Sequence, residues 1–193
     1  MKISKALQKR IEKAVSEKID LVYYDPGWIS RFADEKKFLL SKFPDVIKRV
    51  EHFGSTAVPN LASKPIVDML IEVTSHKDVK EKNIPVLTTL GYDYFFRPEF
   101  DKPPMYDWFI KRDKKGIRPH HLHMVKKNSK LWERLLFRDY LRKHPAPAEE
   151  YGNLKTELSK KFPNDREAYT TAKTDFISST TKKAKKSFKA KPS

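Results

Sequence analysis

The sequence contains no cysteine and only five glycines among its 193 residues. The absence of cysteine excludes disulfides and thiolate metal sites, and it favours a reducing compartment. No apolar run approaches the roughly 20 residues that a membrane-spanning helix requires. The first residues, MKISKALQKRIEKAV, lack the continuous apolar segment of a secretory signal. We therefore expect a soluble, cytoplasmic protein with no membrane association.

Acidic residues are few relative to basic ones, since 41 lysines and arginines oppose 25 aspartates and glutamates and give a net charge of +16. The last twelve residues, KKAKKSFKAKPS, hold six lysines and no acid, so the remaining chain still carries +10. A basic body favours nucleic acid, nucleotides, phosphorylated metabolites or anionic surfaces, although lysine-rich surfaces also serve solubility alone. Nucleic-acid binding ranks last because no stacking-aromatic or recognition-helix motif supports it. The net charge does not predict the oligomeric state.

The chain is expected to have three parts. Residues 1–19 form an amphipathic helix, in which apolar residues recur at helical spacing over 2–18. Residues 20–181 are long enough for one domain with its own core. Residues 182–193 have the lysine-rich composition of a disordered tail.

Short strands in the middle of the domain are flanked by helices. Asp25 is the expected N-cap of a helix that begins at Pro26. The predicted strands lie at 46–53, 66–73, 92–96, 105–113 and 120–125. Further helices are predicted over 75–90, over 132–144, over 147–161 and after a cap at Asn164 or Asp165. Pro85 interrupts the helical pattern over 75–90. Residues 97–104 are predicted to form a proline-rich loop. This order predicts an α/β or α+β domain with a mixed β-sheet flanked by helices and a helical C-terminal part.

One carboxylate interrupts the second predicted strand, IVDMLIEV. Side chains alternate between the two faces of a strand. One face is wholly apolar and should be core: Val67, Met69, Ile71 and Val73. Asp68 lies in the middle of the other face. Because an unpaired buried carboxylate is costly and tends to hold its proton, Asp68 requires a metal ion, a basic partner such as Lys64 or an arginine, or several hydrogen-bond donors.

A Gly-Ser pair, Gly54 and Ser55, stands where the preceding strand ends. Glycine lets the backbone approach a ligand closely, and adjacent N–H groups can cradle a phosphate, although most such pairs only make turns. The order of strand, Gly-Ser, twelve residues and aspartate within a β–β unit raises the weight of the functional interpretation. The residues predicted to bind phosphate or nucleotide are Gly54, Ser55, Thr56, Lys64 and Arg118.

This order is similar to the signature of the nucleotidyltransferase superfamily, in which a Gly-Ser contacts the triphosphate and an acid on the next strand holds Mg²⁺. The chain resembles the GrpB family more closely. The matching segments are YDPGW (24–28), EHFGSTAVPNLASKPIVDMLIEV (51–73), LGYDY (90–94), HHLHMV (120–125), FRDYLRKHP (137–145) and DREAYTTAKTDFI (165–177). They follow the family's order over residues 20–180. The resemblance implies a nucleotidyltransferase-like α/β core, in a family that also occurs fused to dephospho-coenzyme A kinase, but it implies no particular reaction.

The chain departs from the acid pair of active nucleotidyltransferases. That pair stands at i and i+2 on one strand, about 6–7 Å apart, and shares metal ions that neutralise charge on the transferred phosphoryl group. Here the i+2 position is Leu70. Glu72 is on the same face, but strand rise places it about 13 Å from Asp68. The usual two-metal pair is therefore broken.

The segment HHLH offers replacement ligands, since His121 and His123 share one face of their predicted strand and His120 takes the other. With Asp68, the two same-face imidazoles make a three-ligand divalent site that suits Zn²⁺, Mn²⁺ or Fe²⁺ better than Mg²⁺. A histidine could alternatively be a general base, contact phosphate when protonated, or only hydrogen-bond within a polar sheet face. Asp68, His121 and His123 are thus the predicted metal ligands and catalytic residues. The predicted cofactor is Mg²⁺ or Mn²⁺, with Zn²⁺ or Fe²⁺ if the histidines are ligands.

Several other residues are secondary candidates. We expect His52 to join the site, and Lys111 with Arg118 either to line an anionic pocket or to be solvated. Arg138 and Asp139 predict a structural ion pair. Arg166, Tyr169 and Lys173 share a helix face that could close over the site. Two hypotheses stay open: an enzyme that transfers a nucleotidyl group to an unknown acceptor, and a binding module for a nucleotide or phosphorylated metabolite without turnover.

Overall fold

The computed structural model describes residues 17–96 and 106–189. The predicted helix over residues 2–18, except for its last two positions, and the predicted loop at 97–104 lie outside the described residues. Within the described ranges, no helix combines the length and the apolar character needed to cross a membrane.

The elements follow the predicted order. The helices are α1 (Gly27–Lys42), α2 (His76–Asp78), α3 (Ile84–Thr89), α4 (Glu133–Lys143), α5 (Pro145–Lys161), α6 (Arg166–Thr171) and α7 (Thr174–Lys189). The strands are β1 (Ile47–Phe53), β2 (Val67–Val73), β3 (Tyr92–Phe96), β4 (Asp107–Lys111) and β5 (His120–Val125). A π-helical segment, Val79–Asn83, joins α2 to α3 just before Pro85, so the interrupted helical pattern over 75–90 is confirmed.

Aspartate side chains accept backbone hydrogen bonds at the start of two helices. Asp165 accepts hydrogen bonds from the backbone N–H groups of Glu167 at 3.1 Å and Ala168 at 2.9 Å, which confirms it as the N-cap of α6. Asp25 accepts one from the N–H of Gly27 at 2.8 Å. The helix α1 begins at Gly27 with Pro26 as its N-cap, so the predicted N-cap at Asp25 and the predicted start at Pro26 are each one residue too early.

The strands form one mixed sheet in the order β1-β2-β5-β4-β3. β2 and β5 run parallel, and the other neighbouring pairs are antiparallel. The parallel register sets Asp68 beside His121 and Leu70 beside His123. The predicted fold class, a mixed sheet with flanking helices and a helical C-terminal part, is confirmed.

The two faces of the sheet are covered by different helices. On one face the predicted apolar set of β2 packs with Trp28 and Leu39 of α1 in the main core. On the other face Phe53, Leu70 and Val125 pack against Leu135 of α4. Because side chains alternate along β2, Asp68 projects to this second face. The candidate site therefore lies between the sheet and the C-terminal helices.

The predicted disordered tail is wrong for residues 182–189, which continue α7. Ala184 is fully buried, and the ammonium of Lys185 lies 2.7 Å from the carboxylate of Glu133 in α4. Lysine is a good helix former, and docking on α4 supplies the burial that composition alone does not show. The lysine-rich composition predicted disorder because it does not show that Ala184 is buried.

Replacing Ala184 with glutamate is expected to undock the end of α7, because the new carboxylate would be buried without a partner. We expect the free energy of unfolding to fall by about 2–4 kcal/mol, measured by urea denaturation. Ser179→Glu, at an exposed position of the same helix, introduces the same charge and should cost much less. Equal stability of the two variants would contradict the docked helix.

Candidate functional site

Asp68, His121 and His123 come together on the second face of the sheet. Nδ1 of His121 lies 3.2 Å from Oδ1 of Asp68, and Nε2 of His123 lies 3.8 Å from the same oxygen. One ligand atom from each residue fits within 4.8 Å of the other two. The structure thus brings Asp68 together with the two histidines that strand alternation had placed on one face of their strand.

The neighbouring histidine belongs to a different environment. Nε2 of His120 lies 3.3 Å from the backbone carbonyl oxygen of Arg31, and its Nδ1 lies 3.9 Å from the carboxylate of Glu35. Both partners belong to α1 on the opposite face of the sheet. The predicted division of the HHLH segment into two faces is confirmed.

The protonation states of the three residues suit a metal ion. Burial alone would raise the pKa of Asp68, but hydrogen bonds and charge from His121 and His123 hold that pKa far below its usual range. Burial lowers the pKa of His121, and it lowers the pKa of His123 to about 4. At neutral pH the site therefore presents an anionic carboxylate and neutral imidazoles, which are the forms that bind metal.

Each imidazole also carries a nitrogen that nothing satisfies. Among the described residues, Nε2 of His121 and Nδ1 of His123 are buried and have no hydrogen-bond partner. Buried polar atoms in proteins are nearly always paired. The other two ring nitrogens, Nδ1 of His121 and Nε2 of His123, face the carboxylate of Asp68. With the carboxylate oxygen they form a donor set that Zn²⁺, Mn²⁺ or Fe²⁺ accepts. The residues present thus fit a divalent transition metal.

Aromatic rings surround the two histidines. Phe53 meets His123 edge-on with ring centroids 5.1 Å apart, and Tyr106 lies 5.4 Å from the same ring. Trp108 meets His121 edge-on at 5.5 Å. Such an apolar shell fixes ring orientation and limits water around the ligands.

The backbone of Gly54 lies against the side chain of Asp68. It has φ +74°, and a Cβ atom there would lie 2.5 Å from Oδ2 of Asp68. Only glycine fits both the conformation and the space. Ser55 lies beside the phenol of Tyr151 in α5. The predicted Gly-Ser pair therefore lies next to Asp68, between this residue and α5.

Lys64 lies near Asp68 without forming an ion pair with it among the described residues. Its ammonium is 5.5 Å from the ring centroid of Tyr169. Burial, with the Arg166 charge next, lowers its pKa to about 8, while the charge of Asp68 acts in the opposite direction. The two histidines, rather than Lys64, are the close partners of the Asp68 carboxylate.

Four other predicted residues are engaged elsewhere. The Thr56 hydroxyl donates to the carbonyl of Ile66 at 3.1 Å and lies 3.0 Å from Nε2 of His52. His52 is buried and stacks on Phe32. The partners of the two remaining basic residues are Glu17 for Arg118, at 2.7 Å, and Glu35 for Lys111, at 2.6 Å. The structure does not bring these four side chains to the carboxylate of Asp68.

The C-terminal candidates divide into structural and site-facing groups. Arg138 pairs with Asp139 at 2.7 Å, as predicted, and also donates to the carbonyl of His52 at 2.7 Å. Arg166 donates to the carbonyl of Glu17 at 2.9 Å. Lys173 lies over Tyr169 at 4.0 Å and within the electrostatic range of Asp68, so it faces the site.

Sequence reasoning missed Lys155 and Tyr151 of α5. Both are buried on one side of this helix, together with Leu158. Lys155 stands at helical spacing from Tyr151 and Leu158, within the apolar stripe of the helix. This position is the signal that could have identified it, because solvated lysines usually lie on the opposite, polar face. The many other lysines of the chain obscured it.

No second acid joins Asp68 among the described residues. Leu70, at the position where a partner carboxylate would stand, is fully buried in the apolar cluster under α4. Glu51 lies beside Leu70 on β1, but Arg49 at 3.0 Å and Arg138 at 3.2 Å hold its carboxylate. The site is therefore built on one carboxylate and two imidazoles.

These features define a mixed α/β protein with a cluster of one carboxylate and two histidines between the sheet and a helical C-terminal part. The chain belongs to the GrpB family: the family model described as GrpB protein matches residues 18–183. The resemblance found in the sequence is thus confirmed.

Relatives in bacteria and one crystal structure agree with this assignment. The glutamate-rich protein GrpB of Alkalihalophilus pseudofirmus is 35% identical over 158 residues, which cover 81% of this chain and 90% of that protein. The UPF0157 protein YqkA of Bacillus subtilis is 33% identical over 182 residues, which cover 88% of this chain but 48% of that protein. The crystal structure of the conserved protein GrpB from Enterococcus faecalis has a TM-score of 0.77 and 33% identity, and covers 88% of this chain and 99% of that one. These names state no reaction, so function must be argued from the site.

Proposed function

We propose that this protein binds a divalent metal ion through Asp68, His121 and His123 and uses the site to bind a nucleotide or another phosphorylated ligand. The observation that carries the proposal is the meeting of these three side chains, with ligand atoms within 4.8 Å of one another. The basic residues around the cleft and the resemblance to nucleotidyltransferases support a phosphate-bearing ligand.

The chain's own residues have separate tasks in this proposal. Asp68 and the two imidazoles hold the ion, which when bound neutralises phosphate charge as a Lewis acid. Gly54 leaves room for the carboxylate and for close backbone approach of a ligand. Lys64 adds positive charge at the side of the cleft, and the aromatic shell limits water.

The buried Leu70 favours a binding module over standard two-metal nucleotidyl transfer. Without a second carboxylate, the strand cannot hold a pair of ions in the usual way. Nucleotidyl transfer to an acceptor remains the second candidate, because the fold class and the order of Gly-Ser and Asp68 are similar to those of nucleotidyltransferases. Release of pyrophosphate from a labelled triphosphate in the presence of Mn²⁺ would separate the two functions.

Calorimetric titration tests the metal site directly. The wild-type protein is titrated with Mn²⁺, Zn²⁺ and Mg²⁺, then with the four ribonucleoside triphosphates with and without metal. We expect metal-dependent triphosphate binding, and a loss of metal affinity of at least about tenfold in Asp68→Asn and in His123→Gln.

His144→Gln is the matched control, because this histidine follows the end of α4 and stacks on Tyr140 instead. It should bind metal as the wild type does. Failure of the wild type to bind any of the three ions, or unchanged affinity in Asp68→Asn, would refute the proposal. A steep fall of nucleic-acid affinity with salt that is indifferent to Asp68→Asn would instead favour binding through the basic surface.

A further inference from the structure

Three lysines from three different elements converge beside the metal site. Lys64 comes from the loop before β2, Lys155 from α5, and Lys173 from the connection between α6 and α7. The ammonium of Lys155 lies 5.0 Å from the ring centroid of Tyr151. Those of Lys64 and Lys173 lie 5.5 Å and 4.0 Å from the ring centroid of Tyr169. The three ammonium groups thus lie against the rings of two tyrosines, Tyr151 and Tyr169, and we call them the lysine cluster.

The positive charges of this lysine cluster are not neutralised. Across residues 17–96 and 106–189, none of Lys64, Lys155 and Lys173 has a carboxylate at salt-bridge distance. Lys155 is only 2% exposed and donates to the backbone carbonyl of Ala62. A buried ammonium without a counter-ion is expensive, and a contact with a tyrosine ring offsets only a small part of this cost. A bound anion would stabilise these three ammonium groups by neutralising their charge.

The pKa values reflect this crowding. Burial, followed by the charge of Lys64, lowers the pKa of Lys155 to about 7. Burial, followed by the charges of Lys64 and Lys155, lowers the pKa of Lys173 to about 7. The three groups repel one another because they occupy one confined space.

The lysine cluster and the metal ligands lie within electrostatic reach of each other. The charge of Asp68 acts on both Lys64 and Lys173, and Arg134 of α4 acts on both Lys173 and His123. The other groups that face the cluster are Arg118, Arg166, Glu17, Tyr151 and Tyr169. Glu17 is already held by Arg118, Arg112 and Arg166, so it does not neutralise the lysines.

We propose that Lys64, Lys155 and Lys173 form a second anion subsite next to the Asp68–His121–His123 site, and that the ligand therefore carries at least two linked phosphates. This inference rests on the proposed function of the metal site. One phosphate lies at the metal, and the next one lies among the lysines. A monophosphate satisfies only one of the two subsites and binds more weakly.

The test uses inorganic phosphate, pyrophosphate and tripolyphosphate as probes, titrated with and without Mn²⁺. We expect the wild type to prefer tripolyphosphate over phosphate by at least about 100-fold, because charge-assisted hydrogen bonds add to the metal contact. Lys155→Met and Lys173→Met keep the apolar stem and remove the charge. Each should lower tripolyphosphate affinity by about tenfold and leave phosphate affinity nearly unchanged.

Two controls separate charge from folding. Lys160→Met removes an exposed lysine from the same helix as Lys155 and should leave all three affinities unchanged. Lys173→Arg keeps the charge and should retain the preference for tripolyphosphate. Equal losses in Lys160→Met and Lys155→Met would overturn the subsite.

The pH dependence supplies a readout that a structural role would not produce. A bound anion raises the pKa of nearby ammonium groups, so tripolyphosphate binding near pH 8 should take up protons. Comparison of the wild type with Lys173→Met cancels the titration of the ligand itself, and the variant should take up fewer protons. Identical uptake in the two proteins would overturn the inference.

The outcomes also distinguish this inference from the proposed function. Metal binding with equal affinity for all three phosphates would overturn the second subsite and leave the metal site standing. A preference for tripolyphosphate that the lysine variants abolish, in a protein that binds no metal, would support the subsite and refute the proposed metal-dependent function.

Discussion

Gly54→Ala should disable the proposed metal site without rearranging the sheet. At φ +74° and ψ −172°, this residue occupies a region essentially restricted to glycine, and alanine would cost about 1–3 kcal/mol in backbone strain. Its Cβ would lie 2.5 Å from Oδ2 of Asp68, so the carboxylate must move away from the histidines. We expect metal affinity to fall by about 10- to 100-fold, measured by titration with Mn²⁺ or Zn²⁺.

Gly116→Ala separates backbone strain from displacement of the ligand. Gly116 has φ +79°, but a Cβ atom there would meet nothing within 4 Å. This variant should lose stability to urea and keep the wild-type metal affinity. If Gly54→Ala bound metal as tightly as Gly116→Ala does, the position of Asp68 would not matter for metal binding.

Glu35→Ala should lower the free energy of unfolding by about 2–4 kcal/mol, a loss as large as that expected for Ala184→Glu. Glu35 is 5% exposed and sits between α1 and the sheet. It accepts hydrogen bonds from the Tyr92 hydroxyl and from the Lys111 ammonium at 2.6 Å. Alanine would leave both donors without their shared acceptor in a largely buried place. Urea denaturation measures the effect.

Two comparisons make this prediction specific. Asp34→Ala removes an exposed carboxylate from the neighbouring position of α1 and should change stability little. Because the Glu35 network lies on the face opposite Asp68, Glu35→Ala should leave metal affinity unchanged. A stability loss no larger than that of Asp34→Ala would show that the network contributes little.

Local sequence patterns predicted the strands and the faces that their side chains occupy. Alternation of apolar residues in β2 placed Asp68 on a different face from the core, and the same rule separated His120 from its neighbours. These predictions rest on the geometric period of two along a strand, which tertiary contacts rarely override. The metal-ligand candidates could therefore be chosen before the fold was known.

Long-range partners could not be predicted in the same way. Nothing local states that Arg118 meets Glu17 or that Lys155 reaches the cleft, because such pairings depend on how helices dock on the sheet. The end of α7 escaped prediction for a related reason: its lysine content resembles that of a disordered segment, whereas Ala184 is buried against its neighbours. Composition describes a segment alone, and docking depends on its partner.

The parallel pairing of β2 with β5 has a consequence for the order of events during folding. Asp68 and His121 are neighbours in the sheet but about fifty residues apart along the chain, and contacts of such high sequence separation form slowly. A chain still being synthesised cannot offer both ligands until β5 has emerged. Binding of a metal ion at the proposed site would therefore require that β2 and β5 have already paired. The absorption spectrum of bound Co²⁺ would report when this pairing occurs during folding.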